Sequence, residues 1–417
     1  MNRRLFKLAA SGGLITAFAL AQPFATGAAT AASPADPTTT PAASAAPAAA
    51  AAAEAEAAGQ YIVVLKSLPP SNGGTAPAVG RARARGVQVR REYQNTVSGY
   101  TARLDAAQLA TARADPDVDY IEPDVVVHAD GVQRRPDWGL DRLDQRNRPL
   151  DEKYKYDSTG ARVTAYVIDS GIRTTHQEFG GRASGGYSAV DDGNGTNDCN
   201  GHGTHVAGTI GGTTYGVAKL AHLVAVRVLD CNGFGTLSGV INAVDWVTSN
   251  RTRPAVANIS IESTPSRALD QALRQSIAAG IVYSVSAGNG DTDACDVSPA
   301  RVPRAITVGS TTLTDSRNPT SNYGRCVDVF APGTDITSAG ISSDTATAVD
   351  SGTSMAAPHV AGVAAIYLGT HPTAAPDRVR DAIVRDATPG LLTDIGAGSQ
   401  NALLYSGSSG SSGSAIG

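Results

Sequence analysis

Ala165-Tyr-Val-Ile-Asp169-Ser-Gly-Ile172 ends an apolar run, Val163 to Ile168, on a carboxylate with a glycine just beyond it. A short apolar run bounded by a turn signal predicts a strand buried on both faces. A carboxylate at its end then sits at the carboxyl edge of a parallel sheet, where α/β proteins form ligand sites. Taken alone, Asp169 suits turn capping or metal binding equally well. Two later stretches change that balance: Asn200-Gly-His202-Gly-Thr-His-Val-Ala-Gly208 and Ser351-Gly-Thr-Ser354-Met-Ala-Ala-Pro-His359. In chain order the three offer a carboxylate, an imidazole and a hydroxyl, each beside or near glycine. A hydroxyl is a poor nucleophile until a base takes its proton, and that base needs a third group to fix its tautomer.

Around this strand the pattern repeats. Leu223 to Val228, Val256 to Ile261, Ile281 to Val285 and Ile306 to Val308 read as further buried strands, and Ala268 to Ala279 and the segment after Gly352 as helices. Such alternation predicts an α/β fold, a doubly wound, mostly parallel sheet with helices on both faces. Ahead of it, Tyr61 to Leu65, Val97 to Leu104 and Tyr120 to Val127 read as strands, and Ala106 to Ala114 as a helix with Leu109 facing inward, a small α+β unit. The arginines between Arg81 and Arg91 suit a solvated face better than a partner site.

The chain has 417 residues and a formal net charge of −4 with both signs interspersed, so neither nucleic acid nor an anionic membrane is expected as a partner. Arg3, Arg4 and Lys7 precede a mostly apolar stretch, Leu8 to Leu20, too short to span a bilayer comfortably, and Ala29-Thr-Ala31 offers a cleavage site. Residues 1–31 therefore read as an export signal rather than a retained anchor, and the product as secreted. Residues 32–58 are almost all Ala, Pro, Thr and Ser, a tether without core-forming residues. Residues 406–417 are a Gly/Ser-rich tail, either plain or the stump of a further domain. Four cysteines suit an oxidising compartment and allow three pairings. Metal ligation is the other reading, without a CxxC spacing to support it.

The order Asp, His, Ser is that of the subtilisin arrangement. With the longer motifs around each residue, the chain resembles the subtilisin-like serine peptidases, most closely their proteinase K-like branch. The resemblance runs from Trp138-Gly-Leu-Asp-Arg-Leu-Asp144 to about Tyr405. It implies a secreted serine endopeptidase acting on proteins or peptides as a monomer, without a cofactor for its chemistry. Asp169 would orient His202, His202 would act as general base, and Ser354 would be the nucleophile. Zincin sites space their histidines four apart with a glutamate between, unlike His202 and His205, and His205 is expected to face inward. Asn289, in Ser284-Val-Ser-Ala-Gly288-Asn289-Gly290, would donate to the oxyanion together with the Ser354 amide. Pro358 is expected near the first turn of the helix, where few amides need partners. An ordinary histidine would lose activity below a pKa of about 6–7.

The same resemblance, notably in Asp119-Tyr-Ile-Glu-Pro-Asp124, makes residues 59–130 a ferredoxin-like, inhibitor-type propeptide that aids folding and occupies the cleft until it is cut, and residues 131–405 the catalytic domain. It favours the pairings Cys199–Cys231 and Cys295–Cys326, and a structural calcium held by the carbonyls of Pro303 and Ala305 with Asp328, although Asp328 is equally suited to a local salt bridge. An extended peptide would lie between two edges, Gly233-Phe234-Gly235 and Ser260-Ile261-Glu262. Here the chain departs from the family it resembles, whose second edge usually continues with glycines that keep the first pocket open. Glu262 should narrow that pocket or favour a basic residue before the cut bond; the other expectation is that it turns outward to solvent.

Overall fold

Apolar alternation builds two units, residues 28–129 and the remainder, in a computed structural model that describes residues 14–16, 59–66, 75–94, 96–124 and 131–407. The export signal, the tether and the tail lie outside the described residues, except for a short strand, Leu14–Thr16, paired antiparallel with Phe234–Thr236, and for Ser406 and Gly407.

The smaller unit runs β1 (Gln60–Leu65), α1 (Ala76–Ala84), β2 (Gln88–Tyr93), β3 (Gly99–Arg103), α2 (Ala106–Arg113) and β4 (Val118–Pro123). Its antiparallel sheet has the order β2-β3-β1-β4, so each helix crosses over an intervening strand, the ferredoxin-like arrangement. Val63, Leu65, Val79, Tyr100 and Ala102 form its core, with Leu109 packed against them. α2 begins with a reciprocal cap: Gln108 N donates to Asp105 Oδ1 at 2.8 Å and Asp105 N to Gln108 Oε1 at 3.0 Å. The arginine-rich stretch holds α1 and the edge strand β2. Arg81 pairs with Asp115 and Asp117, and Arg83 with Glu92.

The larger unit is a nine-stranded sheet built from β5 (Thr164–Asp169), β6 (Ala183–Ser188), β7 (His222–Arg227), β8 (Ala255–Ile259), β9 (Val282–Ser286), β10 (Ile306–Thr311), β11 (Val329–Pro332), β12 (Thr388–Pro389) and β13 (Ala402–Leu403). The order is β12-β13-β11-β10-β9-β8-β5-β7-β6, parallel except for the β12–β13 pair. Five helices matter here: α3 (His202–Gly211), α4 (Leu237–Asn250), α5 (Arg267–Ala278), α6 (Thr353–Thr370) and α7 (Pro376–Asp386).

β5 shows how both faces are covered. Ala165 and Val167 point into a layer with Val206 and Ile210 of α3, Val360 and Ala361 of α6, and Val379 of α7. Tyr166 and Ile168 point into the opposite layer with Val240 and Val244 of α4 and Leu269 and Leu273 of α5. A period of two with no polar face is what a sheet sandwiched between helices requires. β6, Ala-Ser-Gly-Gly-Tyr-Ser, lacks an apolar run and escapes sequence reading. A Cβ on its Gly186 would lie 2.6 Å from Val224 and 2.8 Å from Trp246 side-chain atoms, so close packing demands the glycine there. Both disulfides, Cys199–Cys231 and Cys295–Cys326, are formed.

Candidate active site

β5 and β8 are parallel neighbours with Ile168 opposite Ile259, and β8 and β9 with Ile259 opposite Val285. Asp169, Ser260 and Ala287-Gly288-Asn289 therefore emerge side by side along one carboxyl edge. Two helices begin at the same edge and pack against one another, α3 at His202 and α6 at Thr353. This juxtaposition brings Asp169, His202, Asn289 and Ser354 together.

Asp169 is fully buried. Its Oδ1 accepts from His202 Nδ1 at 2.7 Å and from Ser170 N at 2.7 Å. The carboxylate thereby sets Nδ1 as the protonated nitrogen and leaves Nε2 as the acceptor. Burial disfavours a charged imidazole, but the Asp169 carboxylate outweighs it, aided by Asp350 and Asp198, and His202 titrates above the ordinary histidine range. His205 faces inward as expected, with Nε2 at 2.9 Å from the Ile336 carbonyl, and burial pushes its pKa down.

The loop before α3 contains a residue that sequence reading missed. Buried Asp198 accepts from Ser170 Oγ, Asn200 N and Gly201 N on one oxygen, and from Thr204 N and Oγ1 on the other, at 2.7–2.9 Å. Ser170 Oγ in turn accepts from Gly203 N at 2.9 Å. Asp198 thus ties the start of α3 to the end of β5, which holds His202 over Asp169. Gly203 makes the approach possible, since a Cβ there would strike the Gly171 carbonyl and lie 3.2 Å from Asp169 Cβ. An aspartate four residues before a helix start, within reach of the amides two and three positions on, is the sequence signal that could have marked this clamp.

Ser354 is the second residue of α6, and its amide lies in the first turn, where amides lack helical acceptors. Pro358 stands beyond that first turn, as the helix runs from Thr353, so it removes the amide that would bond the Ser354 carbonyl. Ser260 Oγ supplies the replacement, donating to Ser354 O at 2.9 Å, and itself accepts from Asn258 Nδ2 at 2.9 Å. The proline thereby leaves a carbonyl that fastens α6 to the strand edge. The Ser354 hydroxyl donates to the Ser260 carbonyl at 3.3 Å in this structure, rather than to His202. Loose hydroxyl–imidazole geometry is common before substrate binds.

Asn289 Oδ1 accepts from Thr353 N at 2.9 Å and Thr353 Oγ1 at 3.0 Å. Its oxygen end is thereby committed, which leaves the NH2 end available to a substrate. Gly352 adopts φ +145°, and a Cβ on it would sit 3.2 Å from Asn289 Oδ1.

Of the two expected substrate edges, Phe234–Thr236 is a short strand whose Phe234 side chain is exposed. Ser260 and Ile261 are buried beside α6, whereas Glu262 turns inward, not outward: its Oε2 accepts from Asn289 N at 3.0 Å. β8 ends at Ile259, two residues earlier than the apolar run predicted, because Ser260 turns to bond α6.

The expected calcium shell does not fit these residues as arranged. Asp328, its one carboxylate, accepts from Arg380 Nη2 at 2.5 Å and from Thr307 N at 2.9 Å, so both oxygens are engaged and a fixed cation neutralises it. A dication beside a guanidinium is electrostatically disfavoured. Asp192, Cys199 and Cys231 also come together, but the cysteines are joined in a disulfide and Asp192 pairs with Arg227.

Comparison with known proteins identifies the family of each unit. Residues 160–405 match the Subtilase family and residues 60–130 match Peptidase inhibitor I9. An extracellular serine proteinase of Thermus sp. (strain Rt41A) is 54% identical over 320 residues, 77% of this chain and 78% of that protein. Alkaline serine exoprotease A of Vibrio alginolyticus is 52% identical over 326 residues, 77% of this chain, which spans 60% of that relative. The crystal structure of a cold-adapted subtilisin-like serine proteinase superposes with a TM-score of 0.64 at 52% identity, covering 66% of this chain and 99% of that one. The chain belongs to the subtilase family. It is a subtilisin-like serine peptidase preceded by an I9-type inhibitor domain, and no helix among its described residues is long and apolar enough to cross a membrane.

The Asp328–Arg380 pair yields a stability prediction. Asp328→Asn will lower the melting temperature equally in calcium and in chelator, measured by scanning calorimetry. A calcium response smaller in the variant than in the parent would show that Asp328 binds the ion.

Proposed function

We propose that the chain is a secreted endopeptidase, made as a self-processing precursor, that cleaves peptide bonds through Asp169, His202 and Ser354. The observation that carries this reading is the 2.7 Å Asp169–His202 hydrogen bond at the sheet edge where α6 presents Ser354. His202 Nε2 takes the Ser354 proton as Oγ attacks the substrate carbonyl, and then gives that proton to the departing amine. The negative charge on the carbonyl oxygen is met by Asn289 Nδ2 and the Ser354 amide; loss of one such donor costs ~10²–10³-fold in turnover. The acyl-enzyme is released when water, deprotonated by His202, attacks the same carbon and Ser354 recovers its proton.

In this reading residues 1–31 are removed on export, 32–58 are a tether, 59–130 are the inhibitor and folding aid of the same chain, and 131–405 are the monomeric catalytic domain. The match to Peptidase inhibitor I9 over residues 60–130 supports the inhibitor, and the name of the Thermus relative, an extracellular serine proteinase, supports export. An extended substrate backbone lies between Gly233-Phe234-Gly235 and Ser260-Ile261-Glu262.

Two measurements test the proposal. Ser354→Ala will accumulate as the unprocessed chain by intact-mass analysis, whereas the parent yields a product that starts near residue 131; equal processing of both would refute self-cleavage. In the pH profile, His202 must be neutral to accept a proton, and its pKa is raised, so activity is present above that pKa and falls as pH drops through it. The acid limb of kcat/KM will therefore lie above the ordinary histidine value of about 6.5. Full activity in mild acid would contradict the assignment.

A further inference from the structure

Glu262 is a half-buried carboxylate with one fixed oxygen and no cation partner among the described residues. Burial is the leading influence on its pKa, raising it, and the Asn289 amide only partly offsets that. A carboxylate removed from water is costly unless a positive charge or several donors compensate it, and here a single amide does so.

Its position gives this carboxylate a use. The carbonyl under attack must sit between Ser354 Oγ and the NH2 end of Asn289, because those are the nucleophile and the oxyanion donor. The side chain of the same substrate residue leaves from the adjoining Cα, so it enters the space beside Gly288 and Asn289. Glu262 reaches into that space: Oε2 is bonded to Asn289 N, and a Cβ on Gly288 would collide with it. Ser260, two residues earlier, touches Ser354 through both its side-chain hydroxyl and its backbone carbonyl, which fixes the segment that carries Glu262 relative to the reacting centre.

We infer that Glu262 forms the acidic wall of the first substrate pocket and selects lysine or arginine as the residue whose carbonyl is attacked. This rests on the assignment of Ser354 and Asn289 above. A basic side chain supplies the partner that the carboxylate lacks, while a large apolar one must pack against an uncompensated charge. Selectivity thus arises from both attraction and rejection. The carboxylate is tethered to the backbone of the oxyanion residue, so its position is held even before substrate arrives.

The test uses the mature enzyme and a panel of otherwise identical peptides with Lys, Arg, Phe, Leu or Ala before the cut bond, normalised by active-site titration. For the parent, kcat/KM for Lys and Arg should exceed that for Phe by at least roughly tenfold, as expected when a site's polar group is left unpaired by the wrong substrate. Glu262→Gln, which keeps shape and removes charge, should abolish that ratio, and Glu262→Gly should favour Phe and Leu. Parent turnover with the same Lys-to-Phe ratio as Glu262→Gln would overturn this inference alone. Failure of the parent to cleave any of the peptides would overturn it together with the assignment on which it rests.

Discussion

Everything at the site depends on one compensated charge. Asp169 is buried, and its compensation is concentrated on Oδ1, through the Ser170 amide and the His202 ring, while Oδ2 has no partner among the described residues. A buried carboxylate so placed makes strong demands on its partners. The chain answers with a rigid clamp in which Asp198 binds the first turn of α3, Ser170 joins that turn to β5, and Gly203 lets the two backbones meet. Imidazole orientation is therefore a property of the sheet edge rather than of one side chain.

The helix that carries Ser354 is anchored by a similar economy. Pro358 deprives the Ser354 carbonyl of its helical partner, and Ser260 takes it over. Ser284 Oγ adds a second hydroxyl tie one turn on, donating to the Ala357 carbonyl at 2.8 Å. The run of alanines in α6 lets it lie against the strands closely enough for these short side chains to reach. Packing, capping and positioning of Ser354 are thus one feature, and the oxygen of Asn289 adds a third tie to the same helix start.

What was legible in the sequence follows from how local each signal is. The central strands declare themselves because they are buried on both faces and read as unbroken apolar runs; β6 does not, because its Gly186 serves a contact with Trp246 sixty residues away. The motifs around Asp169, His202 and Ser354 carry their meaning in a few adjacent residues. By contrast, the inward turn of Glu262 is decided by Asn289, 27 positions on, and the engagement of Asp328 by Arg380, 52 positions on. No local pattern encodes such partners. Pro358 was legible as a tolerated proline, yet its structural use depends on a serine 98 residues earlier.

The most direct test of the central claim is covalent labelling of the mature enzyme with a fluorophosphonate, followed by peptide mapping by mass spectrometry. One adduct on Ser354, formed rapidly by the parent and lost in His202→Ala, is the predicted result. Labelling at another residue, or an unchanged rate without His202, would contradict it.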